Sequence, residues 1–183
     1  MASTAACARL LALLGARDDL AGKVVAAYVA VRGELDPAPA FDGLRSAGAR
    51  IALPLSDAPA AGGTPLRFVC VEADAALRPG RFGIPEPEEG ARVSVLPAAL
   101  EIVIVPGLAF DAEGRRLGSG AGYYDGTFEG RRPDGPPILI GFAHDFQIVD
   151  RCPAEAHDVS VDWVVTESRV IGPGPSTKEG GRR

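Results

Sequence analysis

Short apolar runs set between glycine, proline and charged residues constrain the fold of this chain more than any other feature. Nearly continuous runs at residues 23–30, 49–53, 101–105, 136–143 and 162–166 have the length of buried strands. Residues 66–71 alternate between apolar and other side chains, which predicts a half-exposed strand. Pro54 is predicted to close the second strand, and the prolines and charges of residues 79–89 predict a loop.

Helix signals lie between these runs. Ser3 or Thr4 is a candidate N-cap for a helix over residues 5–14, with Gly15 as its predicted stop. Residues 39–47 place Phe41 and Leu44 on one helical face, and Gly48 is predicted to end that helix. Strands that alternate with helices or long loops predict an α/β fold of three layers, with a mostly parallel sheet and helices on both faces.

Length and composition indicate one domain. The 183 residues suffice for a sizeable core, and we expect a single domain over residues 1–171. Residues 172–183 contain almost nothing to bury, which predicts a disordered tail. The oligomeric state expected is a monomer or weak dimer.

Charge and cysteine usage exclude several partners. A net charge of −5 without a basic stripe argues against nucleic-acid binding. The apolar run at residues 5–14 is interrupted by Arg9 and too short to span a bilayer, and no basic segment precedes it as in a signal peptide. The 3 cysteines are far apart and have no metal-ligand spacing, which fits reduced thiols and a cytoplasmic protein.

A glycine-rich segment at residues 116–125 carries the strongest functional signal. Its glycines, Gly118, Gly120 and Gly122, alternate, so backbone N–H groups can approach an anion closely. Arg116 supplies a cation before them, and Asp125 supplies a candidate Mg²⁺ ligand after them. The pattern is neither a Walker A loop nor a dinucleotide fingerprint, and no helix is predicted directly after it. It favours a nucleotide or phosphorylated ligand over a purely structural turn.

Other polar residues are less specific. Asp158, before the last strand, is either a solvated charge or cap, or a second Mg²⁺ ligand beside Asp125. His144 and His157 are interpreted as structural or surface residues, because no nucleophile accompanies them in a recognisable setting. Residues 33–36 form an acidic loop at a strand end, either a simple turn or a recognition site for an amine-bearing ligand.

These residues resemble the 5-formyltetrahydrofolate cyclo-ligase family, also called 5,10-methenyltetrahydrofolate synthetases. The resemblance covers residues 23–171 and is strongest over 105–111 and 114–125, which look like the family pattern P-x-x-A-F-D…G-x-R-L-G-x-G-x-G-Y-Y-D. Supporting matches include Tyr28, residues 33–36 and 83–87, Gln147, and residues 153–158 leading to 165–167. The resemblance implies ATP-dependent cyclisation of 5-formyltetrahydrofolate to 5,10-methenyltetrahydrofolate, with release of ADP and phosphate.

The resemblance also implies site residues. Mg²⁺ would be bound by Asp125 and Asp158, and folate would be contacted by Val31, Asp36 and residues 119–123. The ATP-binding positions it implies are Arg116, Leu117, Gly118, Ser119, Gly120, Ala121, Gly122, Tyr123 and Tyr124, of which Ser119, Gly120, Ala121, Gly122 and Tyr123 also touch the folate. No covalent intermediate is required, and no catalytic side chain is assigned.

The sequence departs from the family pattern at several points. Members usually begin with a basic helix of Lys-x-x-x-Arg type, and neither Arg9 nor Arg17 fits that pattern. Ala121 and residues 126–127 also differ from the usual residues. An alternative is therefore a folate- or nucleotide-binding protein of the same fold that has lost ATP turnover. A sugar-phosphate isomerase or coenzyme A-transferase is a weaker alternative, because Lys23 and Lys178 are the only lysines.

Overall fold

The computed structural model describes residues 1–17, 19–55, 65–80, 85–88, 93–132 and 135–172. A central sheet organises these residues, and its 8 strands are β1 (Val24–Ala26), β2 (Arg50–Leu55), β3 (Arg67–Val71), β6 (Val93–Val95), β7 (Ile102–Val105), β10 (Ile138–Phe142), β11 (Trp163–Val165) and β12 (Val170–Ile171). They lie side by side in the order β12-β11-β10-β7-β1-β2-β3-β6. Two small antiparallel pairs lie outside it: β4 (Leu77–Pro79) with β5 (Pro85–Pro87), and β8 (Ala109–Phe110) with β9 (Arg116–Leu117).

The centre of the sheet is parallel and its edges are antiparallel. Strands β11, β10, β7, β1 and β2 pair in parallel, whereas β12, β3 and β6 pair antiparallel to their neighbours. The chain leaves β1 for β2 on one side and later returns to β7 on the other side. The connections therefore reverse between β1 and β7, and such a reversal opens a crevice at the carboxyl ends of the strands.

Helices cover both faces of the sheet, as the sequence predicted. Helices α1 (Ala2–Arg17) and α2 (Phe41–Ser46) pack on one face through Leu10, Leu14 and Leu44. Helix α3 (Tyr123–Phe128) packs on the other face through Phe128. Successive residues of β7 alternate between the two cores, which is why its apolar run is continuous.

Several predicted boundaries were wrong. Gly15 does not stop α1, which continues to Arg17, and the strand predicted over residues 23–30 is regular only at Val24–Ala26. Pro54 lies inside β2 and pairs with Phe68 in β3. The helix predicted over residues 39–47 is split into a 3-10 turn at Ala38–Ala40 followed by α2. Propensity is weakest at such ends, where packing decides the boundary.

Two further predictions need correction. Strand β3 is buried at four of its five positions rather than half-exposed, because β2 and β6 flank it and core residues cover it. Within the loop predicted over residues 79–89, Pro85–Pro87 instead forms a strand that pairs with Leu77–Pro79, while residues 81–84 and 89 lie outside the described part of the chain. The predicted disordered tail begins at residue 172, and residues 173–183 lie outside the described part of the chain.

Candidate functional site

A cleft of about 720 Å³ lies at the carboxyl ends of the parallel strands. One wall is the loop that follows β1, a second is the loop that follows β7, and a third comes from the segment between β10 and β11. The residues that line it are Glu34, Pro106, Gly107, Leu108, the segment from Arg116 to Gly126, Glu129, Pro153, Glu155, His157 and Asp158. The cleft therefore opens at the reversal between β1 and β7, where ligands bind in open α/β sheets.

The glycine-rich segment forms the floor of this cleft. Gly120 and Gly122 have φ of +88° and +65°, in the left-handed region that favours glycine. None of the backbone N–H groups of residues 119–122 donates a hydrogen bond within the described residues. Helix α3 begins directly at Tyr123, so the expectation that no helix follows the glycines was wrong. The exposed amides make the segment suitable for binding an anion.

Arg116 and Asp125 form an ion pair within the cleft. Arg116 Nη2 donates to Asp125 Oδ1 at 3.1 Å and to Oδ2 at 3.0 Å. The two side chains are only 7% and 18% exposed, and the guanidinium also lies over the Tyr124 ring, 5.4 Å from its centroid. The cation and the carboxylate that the sequence places nine positions apart thus neutralise each other in the structure.

Asp158 lies at the same end of the cleft as Asp125. The backbone N–H of Val159 donates to Asp125 Oδ1 at 3.1 Å, which ties the two segments together. Asp158 Oδ2 accepts a hydrogen bond from the Glu155 N–H at 2.7 Å. His157 is mostly exposed, with Nε2 at 3.7 Å from Asp158 Oδ1, in keeping with its interpretation as a surface residue. The structure brings both predicted Mg²⁺ ligands into one cleft.

These carboxylates fit a magnesium ion that is shared with a polyphosphate. Among the described residues, no group of three or more His, Cys, Asp or Glu side chains is placed to hold a metal ion. Mg²⁺ commonly uses one or two carboxylates and takes its other oxygens from phosphates and water. Asp125 and Asp158 meet that requirement beside the exposed amides. Arg116, which pairs with Asp125, would then share this carboxylate with the ion.

The loop after β1 brings Glu34, rather than Asp36, to the cleft. Asp36 is partly buried; its Oδ1 accepts the Ala38 N–H at 3.0 Å, and it is absent from the cleft lining. Val31 also lies outside the lining, although its N–H donates to Glu34 Oε2 at 2.9 Å. Burial raises the pKa of the Glu34 carboxyl above its ordinary value, which the Val31 N–H and the Arg32 charge only partly oppose. The sequence contained no signal that separates these two acids.

Asp111 of the signature and Gln147, a supporting match, hold the loops of the cleft. Asp111 is fully buried and accepts hydrogen bonds from Arg115 Nε at 2.6 Å and from the Cys152 N–H at 2.8 Å. Gln147 Nε2 donates to the carbonyl oxygens of Gly107 and Leu108, at 2.8 and 3.1 Å. They fix the β8–β9 connection and the loop after β7, respectively. Sequence alone did not separate such supporting residues from ligand contacts.

Comparison with known proteins gives a consistent result. The model of the 5-formyltetrahydrofolate cyclo-ligase family matches residues 3–167. The chain is 38% identical over 148 residues to 5-formyltetrahydrofolate cyclo-ligase of Escherichia coli, covering 80% of this chain and 79% of that protein. The chain belongs to the 5-formyltetrahydrofolate cyclo-ligase family. The family resemblance and the α/β fold predicted from sequence are confirmed.

Further members of the cyclo-ligase family support this assignment. The enzyme of Mycolicibacterium smegmatis is 34% identical over 158 residues, covering 83% of this chain and 77% of the relative. The solution structure of Aquifex aeolicus 5,10-methenyltetrahydrofolate synthetase superposes with a TM-score of 0.75 at 33% identity, covering 99% of this chain and 87% of that one. A Mycoplasma pneumoniae synthetase, at 21% identity and a TM-score of 0.66, shares the fold.

Proposed function

We propose that the protein catalyses the ATP- and Mg²⁺-dependent cyclisation of 5-formyltetrahydrofolate to 5,10-methenyltetrahydrofolate, releasing ADP and phosphate. Relatives that bear the cyclo-ligase name support the folate reaction. The observation that carries the proposal is one cleft in which exposed amides, Arg116 and two carboxylates lie together. A triphosphate with its metal ion requires these groups at one place.

The proposed contacts come from the family resemblance, and the arrangement of the cleft supports most of them. Residues 116–124 would bind the ATP phosphates, and residues 119–123 would also touch the folate. Asp125 and Asp158 would hold Mg²⁺, which when bound neutralises charge on the phosphate oxygens. Val31 and Asp36 remain proposed folate contacts on the strength of the family resemblance. The cleft would hold the formyl oxygen and the terminal phosphate in line, which is the main requirement of such a transfer.

We also propose that the enzyme works in the cytoplasm with small molecules as its partners. All three cysteines are buried free thiols, as expected for a protein of a reducing compartment. No helix in the described part of the chain is long and apolar enough to cross a bilayer.

The direct test follows the absorbance of methenyltetrahydrofolate after 5-formyltetrahydrofolate is mixed with the full chain. The reaction is run with MgATP, without ATP, and with ATP plus EDTA. We expect product only with MgATP. Folate binding measured by calorimetry without any product would instead indicate a binding protein of the same fold. Product formation without ATP would contradict the proposed reaction itself.

A further inference from the structure

The proposed cyclisation releases a proton for which no acceptor has yet been assigned. The amine N10 of the folate carries one hydrogen before it attacks the activated formyl carbon. Its lone pair forms the new N–C bond, and the phosphate leaves with the electron pair of the C–O bond. In the product, N10 shares the positive charge of the new ring with N5 through its lone pair. N10 must therefore lose its proton before or as the product forms. A base beside N10 would accelerate this step.

Glu34 is a carboxylate that lines the cleft and has no role in the proposed phosphate or metal contacts. It lines the cleft from the loop after β1, whereas Asp125 and Asp158 lie at the end where the phosphates are proposed to bind. Burial raises the pKa of the Tyr124 phenol; the Arg116 charge opposes this effect, and the charge of Glu34 adds to it. Glu34 therefore lines the same cleft as the glycine-rich segment and reaches it from a different loop.

One oxygen of the Glu34 carboxylate is fixed and the other is available. Oε2 accepts the Val31 N–H at 2.9 Å. Oε1 accepts no hydrogen bond from any residue in the described ranges. Burial keeps the carboxyl pKa above its ordinary value, so the group is a stronger base than an exposed glutamate. The Asp36 carboxylate, by contrast, caps the following turn.

The backbone under Glu34 is strained, and two contacts hold it in place. Arg32 has φ of +53°, and it is the single non-glycine residue with positive φ among those described; Gly33 follows at +84°. The Glu34 N–H donates to Val31 O at 3.0 Å and closes the turn, while His144 Nε2 lies 3.3 Å from Gly33 O. A non-glycine residue rarely adopts this backbone conformation, and such strain concentrates at functional sites.

We propose that Glu34 is a catalytic residue that accepts the N10 proton as the ring closes. This inference rests on the proposed function. The N10–H bond breaks as Oε1 gains the proton, the N10–C bond forms, and the phosphate departs. Glu34 then returns its proton to solvent once the product has left. Without this carboxylate, phosphorylation of the formyl oxygen still proceeds, but cyclisation slows.

The test compares wild type with Glu34→Gln, which keeps the side-chain length and an oxygen for the Val31 N–H. We expect kcat to fall by about 10²-fold or more, with KM for the folate within about threefold. The acid limb of the wild-type kcat–pH profile should disappear. Exchange of isotope between the bridging and non-bridging oxygens of ATP should continue, because it reports reversible phosphoryl transfer alone. The exposed Asp42→Asn variant controls for the loss of one negative charge and should match wild type.

Other outcomes overturn the proposal. A large rise in KM with unchanged kcat would make Glu34 a pterin-recognition residue, and loss of isotope exchange would give it a role in phosphoryl transfer. If Glu34→Gln fails to fold, Glu34→Asp is the second variant, because it keeps a carboxylate but places it further from N10. This variant should lower kcat and keep the acid limb of the kcat–pH profile. Loss of that limb would refute the role of Glu34 as the proton acceptor. Wild type that forms no product would instead refute the proposed function.

Discussion

At the scale of single residues, Asp111 has a well-defined structural role. Burial alone would raise the pKa of its carboxyl, but hydrogen bonds from Cys152 and Arg115, together with the charge of Arg115, outweigh it and hold the pKa below its ordinary value. The charged form is therefore bound more tightly in the folded state than in the unfolded state. The charged Asp111 carboxylate therefore stabilises the fold at any pH above its ordinary pKa. This stabilisation is lost as the pH falls through the lowered pKa of the folded state.

We predict that Asp111→Asn lowers the free energy of unfolding by about 2–4 kcal/mol at neutral pH, because a buried charge-assisted network is broken. Urea unfolding should show the difference from wild type shrinking once the pH falls below the ordinary value of 3.8. Glu113→Gln, which removes the exposed second partner of Arg115, should cost no more than about 1 kcal/mol. Equal effects of the two substitutions would contradict the buried role of Asp111.

Asp125 is expected to matter for turnover more than for stability. Asp125→Asn should lower ATP-dependent turnover by at least about 10²-fold, since Mg²⁺ and the phosphates lose a charged partner. Asp162→Asn is the matched control, because Asp162 accepts two hydrogen bonds from Arg131 outside the cleft lining. Both variants break a largely buried arginine–carboxylate pair, so similar shifts in Tm are expected. Unchanged turnover of Asp125→Asn at saturating Mg²⁺ would remove this residue from the site.

At the scale of elements, the connection between β8 and β9 is held against the segment before β11. Gly114 has φ of +78°, its carbonyl accepts the Val161 N–H at 2.8 Å, and a Cβ at this position would overlap the Val161 carbonyl. The alternating glycines made residues 118–122 visible in the sequence. Gly114 is equally constrained, but the sequence indicated it only as part of the family pattern, because Val161, which constrains it, is distant in the chain.

We predict that Gly114→Ala destabilises the fold by about 3 kcal/mol or more, through backbone strain together with overpacking. Gly22→Ala is the control, since Gly22 has φ of +75° but a Cβ there meets nothing within 4 Å. It should cost only the strain, about 1–2 kcal/mol. Chemical denaturation of both variants measures the difference. Equal losses would show that the contact with Val161 adds nothing.

At the scale of the whole molecule, the reactivity of the three buried thiols shows whether the two hydrophobic cores stay closed. Cys7 packs in the core under α1, and Cys70 lies in the core on the opposite face. Burial, with a smaller effect from the nearby Asp36 charge, raises the pKa of the Cys7 thiol to about 11. Burial also raises the pKa values of Cys70 and Cys152. The thiolate, which is the reactive form, is therefore scarce in the folded protein.

We predict that no thiol reacts rapidly with Ellman's reagent near pH 8 in the native protein, and that all three react once urea unfolds it. The rate of the slow native reaction should follow global unfolding. A thiol that reacts rapidly in the native state would show that one core opens locally. For Asp111→Asn and Gly114→Ala, the logarithm of the native rate should rise in proportion to the loss in free energy of unfolding.

The sequence by itself determined the α/β class, the strands at the centre of the sheet and the position of the glycine-rich segment. These depend on continuous apolar runs and on backbone freedom, which are local properties. Strand ends were less certain, because Pro54 and Pro85–Pro87 take strand geometry from neighbouring strands rather than from their own propensity.

Only the tertiary structure decided how the site is assembled. It paired Arg116 with Asp125, tied Asp125 to the segment of Asp158, and turned Glu34 rather than Asp36 toward the cleft. Each of these results depends on segments far apart in the chain that meet where the strand connections reverse between β1 and β7. Local sequence fixes which chemical groups are present, but the distances between groups on different strands are set by the packing of the sheet.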